Sequence, residues 1–566
     1  MNFKSEIIKI LSEIINCDKS EIILEIPPEN VESDFAFPCF KFAKILKKAP
    51  NLIANEIKNK FDDLDIDFIQ AIKVDGAYLN FILQKEIYVQ EIILNVLKDG
   101  KNFFKSNIGK GKNIVLDYSS PNIAKPFHVG HLRSTVIGNA LYNIFSCLGY
   151  NCISVNHLGD WGTQFGKLIV SYKKWGNEEN VKNHGIKELM NLYVKFHEEA
   201  QKDNKLNDLA RDWFVKMQNG DAEALNLWKW FNDLSLKEFE KIYHRLGIGF
   251  DYYTGESFYN DKMHAVVDEL KEKKLLVESE GAMIVDLEKY KMPPCLILRS
   301  DGGTLYPTRD IAAAIYRKQK FNFEKCIYVT AFDQKLHFEQ WFKVIDLMGY
   351  DWARKLVHVE FGLVSLNSGK LSTRNGHVVL MEDLLNEAVE KTKSIIEEKN
   401  PGLENKNDVA EKVGIGAIIF NDLYNSRVKD VVFSWDKILN FDGETGPYVQ
   451  YSYVRTCSII KKSGDFELDK EKIDFSVLTD ELSFKLVKLI GTFGDKIFEA
   501  AEKFEPYIIS RHLMEIAQAF NKFYNSNSIL NAAEDIKNAR LNLCLCVNLI
   551  LKFGLEILGI KTSEIM

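Results

Sequence analysis

The chain has 566 residues, enough for two to four domains and a sizeable core. Hydrophobic residues make up 46% and charged residues 27%, a globular balance that excludes a disordered or fibrous chain. A net charge of −7 excludes a chain-wide basic footprint, so any surface for nucleic acid has to be a local patch. The opening MNFKSEIIKILSEI has charges throughout and does not read as a signal peptide. The most apolar stretch, Leu541 to Ile560, is cut by Asn548, Lys552 and Glu556, so it reads as a core helix and no membrane span is expected. The 9 cysteines include no CxxC pair, which points to a reducing compartment, a cytoplasmic location and no protein metal site.

Residues 1–108 read as a small α/β unit. Phe3, Ile7, Ile10, Leu11 and Ile14 give an amphipathic first helix. A second helix runs from about Cys39 to Phe61 with an interruption at Pro50. Ile72 to Leu83 reads as a strand or strand pair, and a helix starts at Lys85. A glycine-bearing linker, Lys105 to Lys112, leads into residues 109–411. There, apolar Ile114-Val115-Leu116 and Cys152 to Val155 read as buried strands, each followed by a polar turn and a helix. That repeat is a βαβ pattern and predicts a parallel sheet, with ligands beyond the strand C-termini. Residues 168 to about 246 read as a charged helical insertion. Further strands are expected at Ala282 to Leu287, Cys295 to Leu298, Lys325 to Thr330 and Lys355 to Ser365. From about residue 412 to 566 the pattern is helical throughout, a bundle.

The stretch Asp117 to Leu141, DYSSPNIAKPFHVGHLRSTVIGNAL, organises the rest. Apolar residues from Val129 recur at helical spacing, so His128 and His131 stand three apart at a helix start, where free N–H groups and the positive dipole end favour an anion. Gly130 between them lets a flat group approach the backbone. HxGH here resembles the HIGH motif of class I aminoacyl-tRNA synthetases, and SSPNIAKPFHVGHLRS resembles arginyl-tRNA synthetases in particular. Asn156 to Gly162, Tyr306-to-Asp310, the loop Gly369 to Gly376 and the helix start PYVQYSYVR at Pro447 resemble the same family, in the same order.

The resemblance implies a Rossmann-like parallel-sheet catalytic domain with a helical insertion, a small α/β N-terminal domain for the tRNA elbow and a C-terminal helical anticodon-binding bundle. It implies ligation of L-arginine to tRNA(Arg) using ATP with Mg²⁺, through an arginyl-adenylate, by a monomer as in most relatives. Lys125, His128, Gly130 and His131 would face ATP, with Lys370, Ser372 and Arg374 of the loop. In the wider class that loop reads KMSKS. Here Thr373 stands where its second lysine belongs, and either Lys125 or Arg374 takes over that charge. Tyr306, Asp310 and Gln334 match the arginine-binding residues, and Asn122 and Asp117 those near its α-amino end; many relatives carry Glu at 117. Tyr78 and Asn80 match base-contacting residues of the N-terminal domain, while Tyr448 and the terminal Met566 would line an anticodon pocket. A short HIGH-type nucleotidyltransferase and a silent synthetase-like RNA binder are the competing readings. The length and bundle oppose the first, and the intact Lys125, His128 and His131 oppose the second.

Overall fold

The computed structural model describes residues 3–28, 31–300, 302–366, 369–370, 379–464 and 473–566. The chain divides into two compact units, one of Met1–Phe103, Ile459–Thr492 and Gln518–Ile550, the other of Phe104–Ser458, Phe493–Ala517 and Leu551–Met566.

In the first unit, β1 (Phe35–Pro38), β2 (Ile69–Asp75) and β3 (Tyr78–Leu83) form an antiparallel sheet in the order β1-β3-β2. The expected strand pair is a hairpin whose two-residue turn uses Gly76 at φ +56, a conformation that suits glycine. The first helix, Phe3–Ile15, buries Phe3, Ile7 and Leu11, the spacing its sequence predicts. Pro50 divides the second helical stretch into Phe40–Leu46 and Pro50–Asp62. Strand β1 has no counterpart in the sequence reading, because four residues ending in proline carry no readable period.

The second unit holds a five-stranded parallel sheet, β11-β10-β4-β5-β6, from β4 (Asn113–Asp117), β5 (Asn151–Asn156), β6 (Tyr252–Tyr253), β10 (Lys325–Ala331) and β11 (Leu356–Phe361). Ile114, Val115 and Leu116 are fully buried in it, as expected of a strand covered on both faces. From β4 the chain crosses through helix Leu132–Cys147 to β5 on one side, while β10 and β11 lie on the other. The order therefore reverses between β4 and β10, and such a switch point opens a crevice at the strand C-termini. A separate antiparallel sheet joins β7 (Leu276–Ser279), β8 (Ala282–Val285) and β9 (Cys295–Leu298).

The helical insertion is present, ending in the long helix Ala222–Leu246. Two expectations need correction. The strand expected from Lys355 to Ser365 breaks at Gly362 and Leu363 into β11 and β12 (Val364–Leu366), and β12 leaves the main sheet to pair with β13 (Gly369–Lys370). The region from 412 onward is not helical throughout: β14 (Val431–Phe433) pairs in parallel with β12, its β-branched residues suiting a strand.

Candidate active site

The turn after β4 is unusual in its backbone. Ser119, Ser120 and Ala124 all lie in the left-handed region, at φ +72, +48 and +61. Each such non-glycine residue costs about 1–3 kcal/mol and persists only where its surroundings hold it. Here they do. The Ser119 N–H donates to Ser134 Oγ at 2.8 Å, and Ser119 Oγ lies 2.7 Å from the Tyr243 hydroxyl. The Ser120 N–H donates to Asn156 Oδ1 at 3.2 Å, and the Ala124 N–H to Ser235 Oγ at 3.1 Å. Ser235 and Tyr243 both belong to helix Ala222–Leu246, so the insertion buttresses the turn.

The two histidines follow. His128 caps and His131 closes a single 3₁₀ turn, Val129–His131, that enters helix Leu132–Cys147, so neither stands on the α-helix itself. They cap one another: His128 Nδ1 accepts from the Gly130 N–H at 3.0 Å, and His131 Nδ1 accepts from the His128 N–H at 3.3 Å. With both Nδ1 atoms accepting, each neutral ring carries its proton on Nε2. Burial, helped by the neighbouring His128, pushes the His131 pKa down to about 3. Burial lowers that of His128, and the Lys125 ammonium adds to the effect. Lys125 is thus exposed close to this pair. A Cβ at Gly130 would come within 2.7 Å of the His128 ring, so only glycine fits that mutual cap.

One turn on, fully buried Arg133 ties this helix to the bundle. Its Nε pairs with Asp422 at 2.9 Å, and one terminal nitrogen donates to the Gly362 and Lys429 carbonyls, both at 2.8 Å. Gly362 precedes β12, which leads towards residues 369–376. Beyond them the chain returns: the Val129 N–H donates to Val379 O and the Met381 N–H to Phe127 O. The described flanks are therefore tied, one to the helix that the histidine turn opens and the other to the turn and the residue before it. The backbone of Lys370 lies in β13; its side chain, Ser372 and Arg374 lie outside the described residues.

Beyond the β4 and β10 ends lies a cavity of about 580 Å³. Asp117, Asn122, Gly130, His131, Tyr306, Asp310 and Gln334 all line it. Asn122 is held by a bridge to Gly159, and a Cβ on Gly159 would come within 2.2 Å of Asn122 Oδ1. Tyr306 and Asp310 share the first turns of helix Tyr306–Phe321, which carries Pro307 in its first turn. Tyr306 is 66% exposed. Gln334 closes the short turn Phe332–Gln334 after β10. Asp117 lines the cavity with its charge already matched, 2.8 Å from buried Arg317.

Sequence reasoning missed His157, Glu256, Arg317 and His337, which also line the cavity. Glu256 lies 3.3 Å from Arg309, and burial pushes its pKa up to about 7 despite that partner. His337 Nε2 lies 2.6 Å from Asp310 Oδ2. Two of the four wall carboxylates, Asp117 and Glu256, have arginine partners, leaving Asp310 and Asp333 to give the wall a net demand for a cation. A planar guanidinium meets that demand better than a point charge.

The expected tRNA residues lie elsewhere. Tyr78 is partly exposed on β3, edge-on to exposed Phe40 at 5.5 Å, whereas Asn80, two residues along, is buried. Tyr448 is half-buried in helix Gly446–Lys462. Met566 does fold back: it packs on Ile396, Val409, Ala410 and Val413, and its carbonyl accepts from Asn400 Nδ2 at 3.3 Å.

A parallel sheet with HxGH at its switch point is the arrangement of a class I aminoacyl-tRNA synthetase, and the family description "tRNA synthetases class I (R), catalytic domain" matches residues 92–435. "Arginyl tRNA synthetase N terminal domain" matches 1–83 and "DALR anticodon binding domain" 449–566. The arginine–tRNA ligase of Halothermothrix orenii is 55% identical over 569 residues, covering all of both chains, and that of Alkaliphilus metalliredigens 53% over 568, again covering both. The crystal structure of Plasmodium falciparum arginyl-tRNA synthetase is 28% identical, with a TM-score of 0.81, over 100% of this chain and 98% of that one. The Thermus thermophilus arginyl-tRNA synthetase, at 24% identity and a TM-score of 0.84 over the whole of both chains, shares the fold. The chain belongs to the arginyl-tRNA synthetase family.

Proposed function

We propose a division of labour for the arginine–tRNA ligation that this family performs. The arginine carboxylate attacks the α-phosphate of ATP, supplied as its Mg²⁺ complex, and pyrophosphate leaves. A ribose hydroxyl of tRNA(Arg) then attacks the adenylate carbonyl, and AMP leaves. The protein's task in both steps is to position reactants and to meet charge as it develops. His128 and His131, neutral and proton-bearing at Nε2, donate to phosphate oxygens without adding a titrating charge. Lys125 supplies the cation beside them, with Lys370, Ser372 and Arg374 as partners from the loop whose flanks the histidine turn and its helix hold. Asp310 takes the guanidinium, with Tyr306 and Gln334 around it, and Asn122 and Asp117 stand at the α-amino end. The observation that carries this reading is that residues picked from three separated stretches, Asp117 to His131, Tyr306 to Asp310 and Gln334, line one cavity.

Residues 1–108, 109–411 and 412–566 then act as elbow-binding, catalytic and anticodon-binding domains. Tyr78 and Asn80 serve the first contact, and Tyr448 and Met566 the last. Among the described residues no helix is long and apolar enough to cross a membrane. We place the enzyme in the cytoplasm, as a monomer, where its tRNA is used. ATP–pyrophosphate exchange across the twenty amino acids, with and without tRNA(Arg), tests the chemistry. Arginine alone should support exchange, and only with tRNA present. Asp310→Asn tests the pocket: removing one charge from a charge-assisted pair costs about 1.5–3 kcal/mol, so KM for arginine should rise while KM for ATP holds. An equal rise in both would move guanidinium recognition off Asp310.

A further inference from the structure

We propose that His337 is a positioning residue for arginine selection: it fixes the plane of the Asp310 carboxylate so that both oxygens, Oδ2 through its second lone pair, meet a guanidinium fork. This rests on reading Asp310 as the guanidinium partner. An aspartate's terminal torsion is broad and roughly two-fold, so a lone carboxylate in a cavity wall samples many planes. A guanidinium needs one plane, because its two parallel N–H donors reach both oxygens only when the groups are coplanar; an ammonium makes no such demand.

His337 removes that freedom. Its Nε2–H donates to Asp310 Oδ2 at 2.6 Å, the other carboxylate oxygen has no hydrogen-bond partner among the described residues, and both side chains line the same cavity. The imidazole itself is held from behind. It sits in the first turn of helix Lys335–Leu347, three residues beyond Gln334, and the next residue, buried Phe338, stacks on His358 at 4.3 Å with the rings 11° apart. His358 is in turn 2.7 Å from Thr330 Oγ1 on β10. Phe338 thus fixes the roll of the helix that aims His337 across to helix Tyr306–Phe321. Asp310 and His337 come from two helices, so the contact also sets the spacing between Tyr306 and Gln334 on either side of the substrate.

The test uses the full chain charging tRNA(Arg) with MgATP, with arginine or lysine as substrate. His337→Ala should raise KM for arginine on the order of tenfold, the usual weight of a hydrogen bond to a charged group, with KM for ATP and for tRNA unchanged. The preference for arginine over lysine should fall with it. His337→Gln, whose amide nitrogen reaches the place of Nε2, should restore most of both; His337→Phe, which keeps only the bulk, should not. In Asp310→Asn, adding His337→Ala should change little, since the two act as one unit. An unchanged arginine KM in His337→Ala, or equal rescue by Phe and Gln, overturns the proposal. If Asp310→Asn raises KM and His337→Ala does not, only the role of His337 fails; if neither raises it, the reading of Asp310 fails first.

Discussion

The two walls of the cavity are made by opposite means. The wall after β4 is a matter of backbone: three left-handed residues, two histidines capping each other, and hydrogen bonds drawn from an inserted helix over a hundred residues away. The wall beside helices Tyr306–Phe321 and Lys335–Leu347 is a matter of side chains: Asp310 on the first paired with His337 on the second, and Glu256, on the 3₁₀ turn Glu256–Lys262, paired with Arg309. The difference fits what we propose each wall holds. Phosphate oxygens are met by donors at fixed points, and a chain path once set supplies them at no reorganisation cost. A guanidinium is selected by charge and plane, which side chains supply one contact at a time. The first wall should therefore fail abruptly when altered and the second by degrees.

The sharpest break should come at Asp422. Its removal by Asp422→Ala leaves Arg133 buried without its counter-ion, which costs about 3–5 kcal/mol. Urea unfolding followed by tryptophan fluorescence should show that loss; a change below about 1 kcal/mol would mean that the two carbonyl acceptors suffice.

A smaller effect is expected from Gly159→Ala. The added Cβ falls within 2.2 Å of Asn122 Oδ1, so Asn122 has to leave its place. Overpacking of this kind costs about 1–3 kcal/mol. Charging should lose kcat/KM for arginine while Asn122→Ala, combined with it, loses little more. Additive losses would separate the glycine from the asparagine.

The gentlest test is pH, on the side-chain wall. Glu256 is held up to about 7 by burial, so the empty site favours its neutral form. A bound guanidinium favours the anion. Binding therefore strengthens as pH rises through about 7 and levels off above it, and KM for arginine should fall about tenfold between pH 6 and 8. Folding runs the other way: a raised carboxylate pKa costs stability as pH climbs from the ordinary 4.5 to about 7. Glu256→Gln should flatten the KM profile, and a slope that persists would assign it elsewhere.

The sequence displayed the second wall better than the first. Tyr306 and Asp310 share a helix face and Gln334 follows a clear strand, and on those positions the resemblance to the family laid their roles; without it Asp310 reads as a helix-start carboxylate. His337 was within reach by the same logic, three residues past Gln334 at a helix start, but its role depends on a contact 27 positions away. Glu256 and Arg317 offered no local signal, because their meaning lies in burial. The histidine pair was legible as a motif, whereas the reason it is rigid was not. Left-handed serines have no signature in composition, and Ser235 and Tyr243 look like ordinary members of an amphipathic helix. β14 was lost to the helical pattern around it, its three residues being too few to show a period of two.

Arg133 has a consequence for motion. The start of helix Leu132–Cys147 and the junction that feeds β12 hang from one guanidinium, through the Gly362 and Lys429 carbonyls and Asp422. A thermal displacement of one therefore drags the other along in step. Much as common-mode noise cancels between two wires twisted together, the shared part of their jitter drops out of the distance between them. Alignment of the histidine turn with the strand running toward residues 369–376 is then kept by making both drift alike, with neither needing to be still.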